Sequence, residues 1–140
     1  MKSLILTLCL FCIVAGRAEA SVDLAIIQHI ESNGNVYAYN KASEARGLYQ
    51  ITPICLKEYN NYHKDATISL KGLYEPIQAY KVAYWYLNIR IPQLLKHYHK
   101  EVNLNNILIA YNAGIRAVIK GYMPKETRDY IRKYNKEAIK

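Results

Sequence analysis

Apolar residues recur along the chain every three or four positions, which is the spacing of one face of an α-helix. In the first such segment the apolar positions are Val22, Ile26, Ile27 and Ile30. The segment ends at Ser32-Asn33-Gly34, and a glycine after polar residues is a helix-stop signal. The pattern therefore predicts a first helix that ends just before Gly34.

Capping residues and the same spacing predict a second and a third helix. The second has Thr52 as its N-cap and Pro53 as its first residue, and runs to about Tyr62. The third opens at Glu75-Pro76, and Pro92 should kink or end it because proline cannot donate the helical hydrogen bond. Its predicted buried face consists of Ile77, Tyr80, Tyr84, Leu87 and Ile91.

Two further helices complete the pattern. The fourth is capped by Asn103 and stops at Asn112-Ala113-Gly114, with an apolar face of Leu104, Ile107, Leu108 and Tyr111. The last opens at Pro124 and carries Tyr130, Ile131 and Tyr134. A polar loop runs from the first helix to Gln50, and the alternation typical of strands is nearly absent. We therefore predict one domain of the all-α class, or an α+β domain in which helices dominate.

The first twenty residues have the pattern of an export signal. A short basic start, Met1-Lys2, precedes an apolar run from Leu4 to Ala15, which is shorter than the about 20 residues of a membrane-spanning helix. Ala18-Glu19-Ala20 then supplies the small residues of a cleavage site. We expect cleavage between Ala20 and Ser21, so that residues 21–140 form the mature domain in the periplasm or outside the cell. An uncleaved anchor is the alternative.

The net charge and the tyrosine content limit the classes of molecule that the protein is expected to bind. The 140 residues carry 19 Lys and Arg against 11 Asp and Glu, a formal net charge of +8, and include 14 Tyr but one Phe and one Trp. Export and the lack of a basic recognition motif argue against nucleic acid. A basic exported protein is expected to be drawn to an anionic envelope polymer such as peptidoglycan, a merely solvated surface being the alternative. Tyrosine rings suit sugar stacking as well as half-buried packing.

Several kinds of chemistry are excluded by their missing motifs. After cleavage only Cys55 of the three cysteines would remain, so no disulfide within the chain is expected, and Cys55 should lie in the core. No G-x-S-x-G, Ser-x-x-Lys, glycine-rich phosphate loop or H-E-x-x-H occurs. His97 and His99 are two residues apart and would point to different faces of a helix. We expect no cofactor and no metal, which leaves carboxylate chemistry.

Among the carboxylates, Glu31 is distinctive by its position. It lies one turn beyond Ile27, at the edge of the first apolar face and just before the Gly34 turn. A partly desolvated carboxyl there would favour its protonated form and suit a general acid. The alternative is a helix-end glutamate turned toward solvent, and the spacing alone does not decide between them.

Four short segments follow one another along the chain, at Glu31-Ser32, Gly47–Gln50, Ala110–Gly114 and Glu126–Ile131. In this order they resemble the lytic transglycosylases of the SLT type, in the lysozyme-like superfamily. The family patterns are Glu-Ser, Gly-Leu-Met-Gln, Ala-Tyr-Asn-Ala-Gly and Glu-Thr-x-x-Tyr-Val. Tyr49 replaces the usual Met, Ile131 replaces the usual Val, and Ser43 matches only loosely a serine that often precedes Gly-Leu. The resemblance covers Asp23 to about Tyr134 and implies a lysozyme-like fold.

The resemblance also implies an activity and a set of site residues. Glu31 would protonate the oxygen between N-acetylmuramic acid and N-acetylglucosamine, then accept the proton of the muramoyl C6 hydroxyl as a 1,6-anhydro ring closes. The substrate then supplies its own nucleophile, unlike in most glycosidases. The substrate-binding residues would be Ser32, Gln50, Tyr111, Asn112 and Tyr130, with the Tyr130 hydroxyl near Glu31.

Two other functions stay open at this point. One is a hydrolytic muramidase of the goose-lysozyme kind, in which Glu44 would be the acid placed to activate a water molecule. The other is a non-catalytic peptidoglycan-binding protein. In each case we expect a monomer, and the small size favours association with an envelope-spanning secretion or conjugation apparatus.

Overall fold

The computed structural model describes residues 21–140, so the predicted leader lies outside the described residues. Seven α-helices and a two-stranded antiparallel sheet make up most of this part. They are α1 (Leu24–Ser32), β1 (Tyr39–Asn40), β2 (Ala45–Arg46), α2 (Pro53–Tyr62), α3 (Pro76–Trp85), α4 (Ile91–His97), α5 (Leu104–Ala113), α6 (Ile115–Lys120) and α7 (Lys125–Ala138). The all-α prediction is confirmed. Among residues 21–140, no helix has both the length and the apolar character needed to cross a membrane.

The helix ends follow the capping residues closely. Thr52 accepts a hydrogen bond from the Cys55 N–H at 3.3 Å at the start of α2, and Asn103 accepts one from the Asn106 N–H at 2.8 Å at the start of α5. The first helix starts slightly later than its apolar pattern, because the Asp23 side chain caps it. It ends where Asn33 adopts a left-handed conformation, as predicted.

The predicted buried face of the third helix is wrong in its first part. Its buried side chains include Ala79, Val82 and Ala83, whereas Ile77, Tyr80 and Tyr84 are 72%, 47% and 46% exposed. Leu87 and Ile91 are buried as predicted. A π-helical turn at Tyr86–Arg90 separates the two parts. Because such a turn takes an extra residue, one uninterrupted α-helical spacing cannot describe the faces on both sides of it.

The helical path also continues past Pro92, which lies in the first turn of α4. A missing N–H is tolerated where the hydrogen-bonding pattern changes. Helix α6 was not predicted, because Gly114 ends α5 and at the same time starts the next helix.

The C-terminal helix joins the two ends of the described chain. Helix α7 contacts both α1 and α5, and its buried side chains include Tyr130 and Tyr134. The Tyr134 hydroxyl accepts a hydrogen bond from the Asp23 N–H at 2.8 Å. This packing brings the Glu126–Ile131 segment to the end of α1 that carries Glu31.

Candidate active site

Glu31 lies in the last turn of α1, which is tied to the loop after β2. The Ser32 hydroxyl donates to the Leu48 carbonyl oxygen at 2.9 Å and lies 3.1 Å from the Gln28 carbonyl oxygen. Ser32, expected as a substrate-binding residue, therefore uses its hydroxyl within the fold. It holds the backbone of the neighbouring Glu31 in place.

The Glu31 carboxyl is partly buried, and its pKa is raised to about 7. The largest cause is desolvation, which disfavours the charged form. Hydrogen bonding from Tyr130 lowers the pKa, and the negative charge of Glu126 raises it. Both forms of the carboxyl are thus populated near neutral pH, which suits a group that must donate and then accept a proton.

Tyr130 lies on α7 with its hydroxyl buried beside Glu31. Within residues 21–140 this hydroxyl makes no hydrogen bond of ideal distance and angle. The polar group with which it interacts is the Glu31 carboxyl. Burial, followed by the Glu31 charge, raises the pKa of Tyr130 far above its ordinary value. The hydroxyl therefore stays protonated and can donate to an ionised Glu31.

A groove extends on both sides of Glu31. One part, about 410 Å³, is bounded by the loop, α2 and α5, and the other, about 460 Å³, is bounded largely by α7. Glu31, Asn112 and Glu126 line both parts. The carboxyl group thus lies in the middle of an open groove rather than at the end of a closed cavity.

The other predicted site residues differ in what they can offer to a ligand. The Tyr111 hydroxyl donates to the Tyr49 carbonyl oxygen at 2.6 Å, so it is committed to the fold, while its ring lines the groove. The Gln50 side-chain nitrogen donates to two loop carbonyl groups, at 3.1 and 3.3 Å. Gln50 can therefore meet a ligand only through its side-chain oxygen, as an acceptor.

Asn112 is oriented by a residue that was not singled out in the sequence. Thr127 is 1% exposed, and its hydroxyl donates to the Asn112 side-chain oxygen at 2.8 Å. Because this bond occupies the side-chain oxygen, the amide nitrogen of Asn112 is left free to donate its two hydrogens to a ligand in the groove. Thr127 belongs to the Glu-Thr pair of the fourth segment, but its role in orienting Asn112 depends on the packing of α7 against α5, which the sequence alone does not show.

The second acid of the groove is Glu126, not Glu44. Glu44 is exposed and does not line the groove, although Ser43 and Ala45 on either side of it do. Glu126 lines both parts and acts on the pKa of Glu31 through its charge. The sequence analysis did not predict this pairing, because Glu31 and Glu126 lie near opposite ends of the domain sequence.

The loop that forms one wall of the groove depends on Gly47. Its φ is +74°, and a Cβ atom there would lie 2.1 Å from the Leu73 carbonyl oxygen. Only glycine fits such a close approach in this conformation. The Gly47 N–H donates to the Ala38 carbonyl oxygen at 2.9 Å, which fixes the turn that precedes Gln50.

Other reactive groups do not gather at the groove. Cys55 lines one part but is buried, and desolvation raises its pKa to about 12, so its thiol remains protonated. In the described part of the chain, no three His, Cys, Asp or Glu residues are grouped to hold a metal ion.

A helical domain with one desolvated glutamate in the middle of an open groove belongs to the lysozyme-like class. Comparison with family models makes the assignment more specific, because the transglycosylase SLT domain matches residues 15–134. The chain belongs to this family, which in general has lytic transglycosylase activity on peptidoglycan. No curated protein and no solved structure matches the chain.

Proposed function

We propose that the protein cleaves the β-1,4 bond between N-acetylmuramic acid and N-acetylglucosamine in peptidoglycan without consuming water. The observation that carries this proposal is the state of Glu31, a partly buried carboxyl of pKa about 7 in a groove open on both sides. A polymer can pass through such a groove, and a carboxyl of this pKa can act as acid and then as base.

One carboxyl group is sufficient for the whole proposed cycle. Protonated Glu31 donates its proton to the glycosidic oxygen as the bond to C1 of muramic acid breaks. The muramoyl C6 hydroxyl then bonds to C1, and its proton returns to Glu31. The Tyr130 hydroxyl stabilises the carboxylate formed between the two steps, since hydrogen bonding from it lowers the pKa of Glu31. The enzyme regains its starting state and no water is used.

The hydrolytic alternative is supported by Glu126, which lines the groove together with Glu31. In most glycosidases a second carboxylate activates water or attacks the sugar. If Glu126 activated a water molecule, the products would carry reducing ends. In the transglycosylase mechanism the charge of Glu126 serves only to raise the pKa of Glu31.

Mass spectrometry of peptidoglycan digests distinguishes these mechanisms. We expect products that end in 1,6-anhydro-muramic acid, each lighter by one water molecule than its hydrolytic counterpart. Mainly reducing-end products, lost in Glu126→Gln, would assign the protein to the muramidases. Binding to peptidoglycan without any cleavage would indicate the non-catalytic function.

We also propose export, with the leader cleaved between Ala20 and Ser21. N-terminal sequencing of protein from the periplasm or medium should then begin at Ser21, whereas retention of Met1 would indicate an uncleaved anchor. The monomeric state and the association with an envelope-spanning apparatus stay predictions.

A further inference from the structure

A second groove lies at the opposite end of α1 from Glu31. Its volume is about 520 Å³, larger than either part of the groove at Glu31. Asp23, Tyr80, Tyr84 and Asn88 are among the residues that line it. Because α1 has nine residues and rises about 1.5 Å per residue, the two grooves are separated by about one helix length.

Two exposed tyrosines form one wall of this second groove. Tyr80 and Tyr84 lie one turn apart on α3, with ring centroids 5.9 Å apart and ring planes inclined by 25°. The Tyr80 ring also packs edge-to-face with the buried Tyr49 ring, with the ring centroids 6.5 Å apart, and this contact restrains Tyr80. The core beneath is filled by Ala79, Val82 and Ala83 on another face of the helix. Packing therefore does not explain why two nearly parallel aromatic rings border a groove.

Polar groups of both kinds line the groove beside the two tyrosines, since Asn88 lies four residues beyond Tyr84 and Asp23 lies at the start of α1. The Asn88 side-chain oxygen accepts from the Val22 N–H at 3.2 Å, and within residues 21–140 its nitrogen donates no hydrogen bond. The Asp23 carboxylate caps α1 through Oδ1, which leaves Oδ2 as an acceptor. A sugar ring suits this combination of aromatic and polar side chains, because it has apolar C–H faces and hydroxyl groups at its rim. An apolar peptide would leave the polar groups without partners, which is costly, and the carboxylate disfavours a nucleic acid.

We propose that this groove is a second glycan-binding site, in which pyranose rings lie against Tyr80 and Tyr84 and hydroxyl or acetamido groups contact Asn88 and Asp23. The choice of peptidoglycan as the glycan rests on the proposed function. A site outside the catalytic groove keeps the domain on an insoluble polymer between cleavages. Two linked sites then raise the apparent affinity without improving either one.

The test compares Tyr84→Ala with Tyr122→Ala, a matched variant of another exposed tyrosine that lines neither groove. Both are made with and without Glu31→Gln, so that binding and turnover are measured separately. We expect Tyr84→Ala to weaken sedimentation of the Glu31→Gln protein with insoluble peptidoglycan by about tenfold, which is part of the about 10²–10⁴-fold gain that a second linked site can give. Its turnover of short soluble glycan fragments, and its melting temperature, should match those of Tyr122→Ala. Equal sedimentation of the two variants would overturn the proposal.

Nuclear magnetic resonance locates the site independently of cleavage. When β-1,4-linked oligomers of N-acetylglucosamine are added to the Glu31→Gln protein, amide shifts should change near Asp23, Tyr84 and Asn88, as well as around Asn112. Changes confined to the groove around Asn112 would refute a second site. If the wild-type protein yields no anhydro products while the Tyr84-dependent binding persists, the proposed function fails and the binding site stands.

Discussion

The electrostatic state of Glu31 links the stability of the protein to its chemistry. The folded protein holds the Glu31 proton more tightly than the unfolded chain does, since the pKa is about 7 instead of 4.5. The contribution to stability is fully present below about pH 4.5 and is lost as the pH rises through 7. A shift of this size corresponds to about 3 kcal/mol. Ionisation of Glu31 therefore lowers the stability of the folded protein, and the catalytic cycle requires that ionised form.

Glu31→Gln should therefore stabilise the protein in a pH-dependent manner while abolishing turnover. The neutral amide avoids the desolvation cost, so urea unfolding should show a gain over wild type that is small at pH 4 and approaches about 3 kcal/mol at pH 8.5. Turnover should fall by about 10²–10⁴-fold or more. Glu44→Gln, at an exposed position outside the groove, should keep most of the activity. An equal stability difference at both pH values would contradict the assigned state of Glu31.

Tyr130→Phe removes one hydroxyl and almost no volume. Because that hydroxyl lowers the pKa of Glu31, its loss should raise this pKa and move the basic limb of the pH–rate profile to higher pH. Turnover should fall by about tenfold or more, since a hydrogen bond to a charged group contributes about 1.5–3 kcal/mol. The melting temperature should change little. An unchanged rate and pH profile would show that Tyr130 has only a packing role.

Thr127 is a positioning residue for Asn112. Thr127→Val keeps the shape of the side chain but removes the hydroxyl that holds the Asn112 amide. We expect kcat/KM to fall by about tenfold, the equivalent of about 1.4 kcal/mol. Thr127→Ser, which keeps the hydroxyl, should recover most of that loss. Similar defects in both variants would indicate that the buried methyl group, and not the hydrogen bond, matters.

At the scale of elements, local signals determined most helix ends. Thr52-Pro53, Asn103 and Pro124 carry their own capping or starting signal, so α2, α5 and α7 were predicted close to their bounds. The face of α3 was not, because it depends on the π-helical turn after Trp85. The pairing of Glu31 with Glu126 was likewise not predicted, since it arises from the packing of α7 against α1, whereas the resemblance had implied that the Tyr130 hydroxyl lies near Glu31.

The α3 face can be checked by paired substitutions across the π-helical turn. Leu87→Ala should cost about 2–5 kcal/mol, because it leaves a cavity at a fully buried position. Tyr84→Ala should change the free energy of unfolding by less than about 0.5 kcal/mol, as is usual for surface positions. The spacing of apolar residues alone predicted a large cost for Tyr84. Chemical denaturation of both variants decides between the two assignments.

At the scale of the whole molecule, the net charge of +8 sets the affinity for the wall more than its specificity. The C-terminal helix α7 carries five basic and three acidic residues, and on it Asp129 pairs with Arg132 at 3.2 Å. Lys125 and Lys133 line the groove beside Glu31. The acidic Glu126 and Asp129 line the same part of the groove, so peptide-stem carboxylates would meet these two lysines beside acidic side chains.

Binding to peptidoglycan should accordingly weaken with salt, whereas binding to a neutral glycan should not. The Debye length falls from about 8 Å at 0.15 M to about 3 Å at 1 M ionic strength, which removes the attraction between exposed lysines and stem carboxylates. Sedimentation of the Glu31→Gln protein with peptidoglycan should decrease over this range. Sedimentation with chitin, which lacks carboxylates, depends on stacking and hydrogen bonds and should stay nearly constant. Parallel losses on both polymers would mean that salt acts on the fold or on the grooves themselves, and the charge would then have no separate role in wall binding.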